Sequence, residues 1–367
     1  RIEEHLQANH LHEEMQSAYR RVHSTETALL KVHSDIMMAL DRGQRIALVM
    51  LDLSAAFDTL DQNTLLRRVQ HTHGITGEAL KWLESYFSRR SQAVTVNKCT
   101  SSTVDLPFGV PQGSVLGPKF YSLYTKPLGA LLRTHQMHFM IYADDTQLYS
   151  IIEPKSDWPD TASRIERCLI DISNWMSSNC LKLNHDKSEF IIFSRKNDPS
   201  SQSWQIQCGD SSLIPRDSVR NLGVIFDSQL QMERHVNNLT KTCFHQLRNI
   251  SKIRRFINKD ACRSLVQAAV TSRLDYANSL LYGVPKYLTD RLQRVQNAAA
   301  RVVCCISRRD HITPTLVALH WLPVRSRIEY KILLLTFKAM HDCAPSYICG
   351  MITQKRRSRS TRSVLEN

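Results

Sequence analysis

The sequence predicts an α+β fold. Short apolar runs near 46–51, 139–152 and 189–194 have strand character, helical periodicity fills the stretches between them, and the chain reads as helical after Asp227. Strands and helices in mixed order imply an antiparallel sheet with helices on one face, followed by a helical unit. At 367 residues and 42% hydrophobic content, the chain can form two or three compact units with a true core.

Each element follows from its pattern. Residues 1–45 are helical, with Leu6, Leu11, Met15 and later Ala28, Leu29, Val32, Ile36, Met37 and Leu40 at helical spacing; a basic stretch at 19–23 interrupts them. The run 46–51 suits a buried strand that ends at Asp52, with small residues turning the chain after it. A second helical pattern covers 60–90 through Leu65, Leu66, Val69, Leu80, Trp82, Leu83 and Phe87. The segment 108–118 holds three glycines and two prolines, so it is an irregular loop, and Pro118 suits the first turn of a helix through Phe120, Leu123 and Tyr124. Two apolar runs flank Tyr142-Ala143-Asp144-Asp145, the pattern of a β-hairpin with two carboxylates at its tip. A helix at 161–178 carries Ile165, Leu169, Ile172, Trp175 and Met176 on one stripe and ends at Asn179; a strand follows at 189–194. Farther on, Leu292, Val295, Ala299, Val302, Val303 and Ile306 form one stripe of a helix over 289–306, with Arg294, Arg301 and Arg308 on the other side. The apolar stretch 319–340, which includes Trp321 and Phe337, reads as packing alone, and residues 351–367 as a basic disordered tail.

Charge is unevenly spread. Of the net +14, residues 229–367 contribute +16, with 24 Lys and Arg against 8 Asp and Glu, while residues 1–228 are close to neutral. That asymmetry separates an acidic half from a half suited to polyanions. The ten cysteines include no CxxC pair, and Cys343, Cys349 and His341 lack zinc-knuckle spacing; they read as reduced thiols of a cytoplasmic or nuclear protein. No stretch is long and apolar enough to span a membrane. The chain begins at Arg1 and ends in its basic tail, so both ends read as truncations.

The carboxylates carry the chemistry. Asp144 and Asp145 are adjacent like charges, and a divalent cation between them relieves their repulsion. Asp52 at the end of a buried strand is costly unless paired or metal-bound. Taken singly, these are an Asp-rich turn and a capping aspartate. Between them in sequence, the glycines of 108–118 let a ligand approach the backbone, and Gln112 offers a donor and an acceptor.

Together, "LDLSAAFDT" from Leu51, "GVPQGSVLGP" from Gly109 and "YADDTQLY" from Tyr142 resemble palm motifs A, B and C of reverse transcriptases, in the wording of LINE-type (non-LTR), jockey-like retrotransposons. Further matches lie at 16–26 (fingers), 181–188 (motif D) and 221–227 (primer grip), so the resemblance covers almost the whole chain. It implies a right-hand polymerase: partial fingers at 1–45, a palm with fingers elements at 46–227, a helical thumb at 228–310, a helical C-terminal segment at 311–350 and the tail at 351–367.

The resemblance implies an RNA-directed DNA polymerase that adds dNTPs to a DNA primer on an RNA template, with two Mg²⁺ ions for which Mn²⁺ can substitute. Asp52, Asp144 and Asp145, with the carbonyl of Leu53, would hold the metals. Lys187 would protonate the leaving pyrophosphate. Phe57 would exclude a ribose 2′-hydroxyl, Gln112 and Gly113 would line the nascent base pair, and Arg20 or Arg21 would meet the triphosphate. Leu222 and Gly223 would grip the primer, and Arg294 and Arg301 the nucleic-acid backbone. A viral RNA-copying RNA polymerase would carry Gly-Asp-Asp in the hairpin and a small or polar residue in place of Phe57. A non-catalytic RNA-binding relic of a reverse transcriptase is the alternative of a different class.

Overall fold

A computed structural model of the chain describes residues 1–54, 57–154, 156–195 and 204–352. The small-residue turn at Ala55 and Ala56 and the tail from residue 353 lie outside these residues.

Helix α1 (Ile2–Ala8) is followed by an irregular stretch and then α2 (Thr25–Asp41). Ser24 starts α2 with a capping box: its hydroxyl accepts from the Thr27 N–H (3.1 Å) and its own N–H donates to Thr27 Oγ1 (2.9 Å). Of the stripe read from the sequence, α2 buries Ala28, Leu29, Val32, Ile36 and Leu40, while Met37 is exposed. In β1 (Arg45–Ser54), Ile46, Ala47, Leu48 and Val49 have no solvent exposure, so both faces of this strand are covered. A continuous apolar run, rather than an alternating one, is what such a strand requires.

After β1 come α3 (Gln62–His71), capped by the Asp61 carboxylate on the Thr64 N–H, and α4 (Gly77–Phe87). Two small exposed ladders follow, β2 (Ser91–Gln92) with β5 (Val104–Asp105) and β3 (Thr95–Val96) with β4 (Cys99–Thr100). Helix α5 (Gly117–Thr134) has Pro118 in its first turn and leads into the hairpin β6 (His138–Tyr142) and β7 (Asp145–Ile152). Helix α6 (Trp158–Ser178) and β8 (Lys182–Phe193) complete an antiparallel sheet in the order β6-β7-β1-β8. Helices α5 and α6 cover one face, as the sequence implies, and α2 covers the other. Strand β8 is longer than the apolar run at 189–194. Its first half pairs with the end of β1, Ser54 opposite Lys182 and Asp52 opposite Asn184, through residues of low strand propensity that hide it in the sequence.

The small hairpins β9 (Ile206–Cys208) with β10 (Ser211–Leu213) and β11 (Ser218–Asn221) with β12 (Val224–Asp227) lead to the helical half. This comprises α7 (Glu233–Ile253), α8 (Lys259–Val266), α9 (Ser272–Asp275), α10 (Lys286–Cys304), α11 (Thr313–Ala318), α12 (Val324–Met340) and α13 (Ser346–Cys349). Helix α10 buries Leu292, Val295, Ala299 and Val303 of the expected stripe against its neighbours, while Val302 is half-buried and Ile306 lies beyond the helix end at Cys304. At the far end, α13 returns to the start of the chain. The buried Tyr347 hydroxyl bonds Ser17 Oγ (2.7 Å) and Thr27 Oγ1 (3.1 Å), and Lys331 pairs with Glu26 (3.0 Å). None of the described helices is long and apolar enough to cross a membrane.

Candidate active site

The sheet brings the strand-end and hairpin carboxylates together. The ladder between β1 and β7 ends with Leu51 opposite Thr146, and the ladder between β1 and β8 changes register between Met50 and Asp52. The extra residues are on β8, where 185–188 have no paired partner in the ladder, while β1 keeps its alternation: Ala47, Val49, Leu51 and Leu53 are buried on one face and Met50 and Asp52 lie half-buried on the other. Asp52 and Asp145 thereby line one cleft of about 400 Å³, with Gln147, Asp186, Lys187, Glu189, Arg216, Arg220, Asn221 and Leu222 around it. Lys187 Nζ lies 3.7 Å from Asp52 Oδ2, across paired strands.

Asp144 occupies the hairpin turn after Ala143, whose φ of +59° is left-handed. The Asp145 carboxyl is pushed up to about 6, first by burial and then by the charges of Asp144 and Asp52. The side chain still opens onto the cleft, so the like charges act through partly wet surroundings. Among the described residues no three His, Cys, Asp or Glu side chains gather tightly enough to enclose an ion by themselves. Leu53, next to Asp52, is paired through its backbone with Leu183.

Phe57 is half-buried and packs on Tyr121, with ring centroids 4.8 Å apart. The Tyr121 hydroxyl is buried without a hydrogen-bond partner among the described residues; burial and then Asp144 raise its pKa, which puts it near the hairpin tip. In the 108–118 loop, Gly109 (φ +77°) is required, because a Cβ there would lie 2.8 Å from the Asp58 carbonyl oxygen. Arg90 (2.7 Å) and Gln62 (3.2 Å) donate to the Gly109 carbonyl. Gln112 is exposed and donates to both oxygens of Asp58 (2.7 and 2.9 Å), while Gly113 is open to solvent.

The two candidate arginines part ways. Arg20 turns inward, donating to the carbonyls of Glu13 (2.8 Å) and Gln16 (3.0 Å), and burial lowers its pKa. Arg21 is exposed, between Tyr19 and Val22, whose backbone is left-handed on both sides of the Arg20-Arg21 pair. Leu222 and Gly223 form the tip between β11 and β12; the Leu222 carbonyl accepts from Tyr276 (2.6 Å), and Gly223 has a φ of +86° against the Tyr276 ring. Arg294 is exposed on α10. Arg301, in contrast, folds back on the carbonyls of Ser307 and Asp310 (both 3.3 Å), so the arginine side of this helix is not one free face.

Sequence reasoning missed four contributors. Asp58 anchors Gln112, Arg90 and Gln62 hold the Gly109 peptide, and Arg220 lines the same cleft as Asp52 and Asp145. Only Asp58 left a signal, as the polar end of its motif.

An antiparallel sheet with carboxylates at one end, a Gly/Pro loop beside them and a helical unit after the sheet defines a nucleic-acid polymerase. The family described as "Reverse transcriptase (RNA-dependent DNA polymerase)" matches residues 1–226, and the chain belongs to it. Members of this family use divalent metal ions. Curated relatives include the "Probable RNA-directed DNA polymerase from transposon BS" of Drosophila melanogaster, 25% identical over 78% of this chain and 32% of its own length. The "RNA-directed DNA polymerase from mobile element jockey" of Drosophila funebris is 25% identical over 61% of this chain and 24% of its own. The chain thus spans about a third or less of these relatives. Among solved structures it is similar to apo telomerase from Candida tropicalis (TM-score 0.49, 12% identity, 96% of this chain and 59% of that one). A telomerase from Candida albicans in complex with a telomeric RNA fragment has a TM-score of 0.44, at 13% identity over 90% of this chain and 57% of that one.

Proposed function

We propose that the chain is the polymerase portion of a LINE-like retrotransposon reverse transcriptase, which extends a DNA primer on an RNA template with dNTPs. The observation that carries the reading is the common cleft of Asp52 and Asp145, delivered by the outer face of β1 and by the β6–β7 hairpin. In this reading residues 1–45 are partial fingers, 46–227 the palm, 228–310 the thumb and 311–350 a helical extension.

Asp52, Asp144 and Asp145 offer the hard oxygen ligands that Mg²⁺ prefers, with the Leu53 carbonyl beside them. Mg²⁺ sites commonly draw their remaining ligands from substrate phosphates and water, which suits carboxylates that do not close a cage alone. Two such ions, with Mn²⁺ as a substitute, would stabilise the attacking and leaving oxygens of an in-line displacement. Around them, Lys187 is close enough to Asp52 to stay over the cleft and give a proton to the leaving pyrophosphate. Phe57, backed by Tyr121, blocks the 2′ position of an incoming sugar. The Asp58-held Gln112 and Gly113 border the base pair. Arg21 is the better candidate for the triphosphate, because Arg20 already serves three backbone carbonyls. Leu222 and Gly223 hold the primer end, and Arg294 meets a phosphate backbone.

The test is metal-dependent extension of a DNA primer on an RNA template, beside Asp144→Asn. Losing one metal-binding carboxylate should cost roughly 4 kcal/mol in the transition state, about a thousandfold in rate. Extension by the wild type that Asp144→Asn retains in full overturns the site. A folded wild type that binds RNA but extends nothing with Mg²⁺ or Mn²⁺ makes the chain a non-catalytic relic.

A further inference from the structure

We infer that Gln16 is a positioning residue for the catalytic hairpin: its side-chain amide clamps the Ala143 peptide groups and thereby sets the direction of Asp144 and Asp145. The inference rests on the polymerase reading of that hairpin.

Residues 15–17 add a short parallel rung to the free edge of β6, with the Ile141 N–H donating to the Met15 carbonyl (3.0 Å) and the Ser17 N–H to the Ile141 carbonyl (2.9 Å). This rung stops short of the turn, where the backbone of Ala143 leaves the strand. Gln16 supplies the missing bonds. Its Oε1 accepts from the Ala143 N–H (3.0 Å) and from the Ala18 N–H (2.9 Å), while its Nε2 donates to the Ala143 carbonyl (3.3 Å). Gln16 is 3% exposed and Ala143 7%, so water cannot replace these partners.

The clamp falls where it matters. Ala143 holds a left-handed φ of +59°, a region costly for any residue with a Cβ and kept only when surroundings enforce it. The two peptide units that Gln16 bonds are those before and after Ala143, and the second leads straight into Asp144. Neither Asp144 nor Asp145 has a hydrogen-bond donor of its own among the described residues, so the turn backbone alone aims both carboxylates. Arg20 in turn fixes the rung by donating to the Gln16 carbonyl (3.0 Å). A side chain from a segment 127 residues upstream therefore completes a turn that the hairpin cannot hold on its own.

The test compares Gln16→Met, which fills the space without a polar atom, and Gln16→Glu from neutral to alkaline pH: the neutral acid keeps all three bonds, while the carboxylate keeps the acceptor bonds and loses the donor. Single-turnover primer extension gives two separate numbers: the amplitude counts competent molecules, and the rate constant reports site geometry. A misplaced reacting group costs up to about a hundredfold in rate. Gln16→Met should slow the rate constant about ten- to a hundredfold and Gln16→Glu several-fold at alkaline pH, with dNTP half-saturation and primer-template affinity within about twofold of wild type. A purely structural glutamine would lower the amplitude and leave the rate constant alone, which overturns the inference. If Gln16→Met fails to fold, a Gln16→Glu rate constant that stays at the wild-type value up to alkaline pH, where the carboxylate has formed, overturns it by itself. A wild type without extension defeats the polymerase reading instead, and amide exchange at Ala143 then decides the clamp: fast exchange in the folded wild type rejects it.

Discussion

Replacing Asp145 by Asn should stabilise the metal-free protein at alkaline pH. The carboxyl is pushed up to about 6 from an ordinary 3.8 by burial and by Asp144 and Asp52. A group that binds its proton more tightly when folded adds stability at low pH, and this is lost as the pH rises from the unfolded value to the folded one. Above about 6 the folded chain therefore carries the full cost of a third crowded negative charge. A shift of about two units, at about 1.4 kcal/mol per unit, sets a ceiling near 3 kcal/mol. Asp145 opens onto the cleft, so solvent screening reduces this to on the order of 1 kcal/mol. That corresponds to roughly 1–3 °C in melting temperature for a chain of this size. The assay is thermal unfolding of wild type and Asp145→Asn across pH, with and without Mg²⁺. The variant should melt higher at about pH 8, the gain should shrink as the pH falls from 6 toward 4, and saturating Mg²⁺ should restore the wild type alone. A variant that melts lower at high pH, or a gain indifferent to both pH and Mg²⁺, would refute the reasoning.

Other outcomes follow from the same geometry. Phe57→Val should admit ribonucleotides, measured as the ratio of dNTP to rNTP incorporation on one template; an unchanged ratio returns Phe57 to a packing role against Tyr121. Lys187→Ala should slow single-turnover extension about a hundredfold, the usual worth of a general acid, with Lys187→Arg in between. Arg294→Gln should flatten the salt dependence of primer-template affinity by about one unit. Arg301→Gln should leave that slope alone and lower the melting temperature, since its guanidinium serves backbone carbonyls. Tyr276→Phe removes the bond to the Leu222 carbonyl and should weaken binding of the primer end more than binding of duplex far from it, measured with recessed and blunt primer-templates.

The parts of this molecule that the sequence makes legible are those with a period or a motif. The buried strand β1, the carboxylate hairpin and the stripes of α2, α6 and α10 could be read because apolar spacing reports burial directly. The first half of β8 could not, because Lys182 and Asn184 pair with the end of β1 against their own preference and residues 185–188 bulge out of the ladder without paired partners. The cleft partners escaped for a related reason. Nothing local in Gln16, Arg90 or Gln62 tells that a backbone carbonyl waits opposite, since that depends on contacts between distant segments. Arginine faces misled in the same way: a helical wheel places Arg294 and Arg301 together, yet the loop after α10 captures only the second.

The return of α13 to the start of the chain has a consequence for biosynthesis. Tyr347 reaches Ser17 across 330 residues of sequence. A ribosome delivers the entire sheet, and every carboxylate of the cleft, before the helix that ties down residues 14 to 27 has been made. During that interval Ser17 and Thr27 wait without their shared hydroxyl, Glu14 without Ser346, and Glu26 without Lys331. Translation products that stop short of residue 346 would hold the full set of cleft residues on a sheet whose flanking segment lacks the Tyr347 and Ser346 bonds.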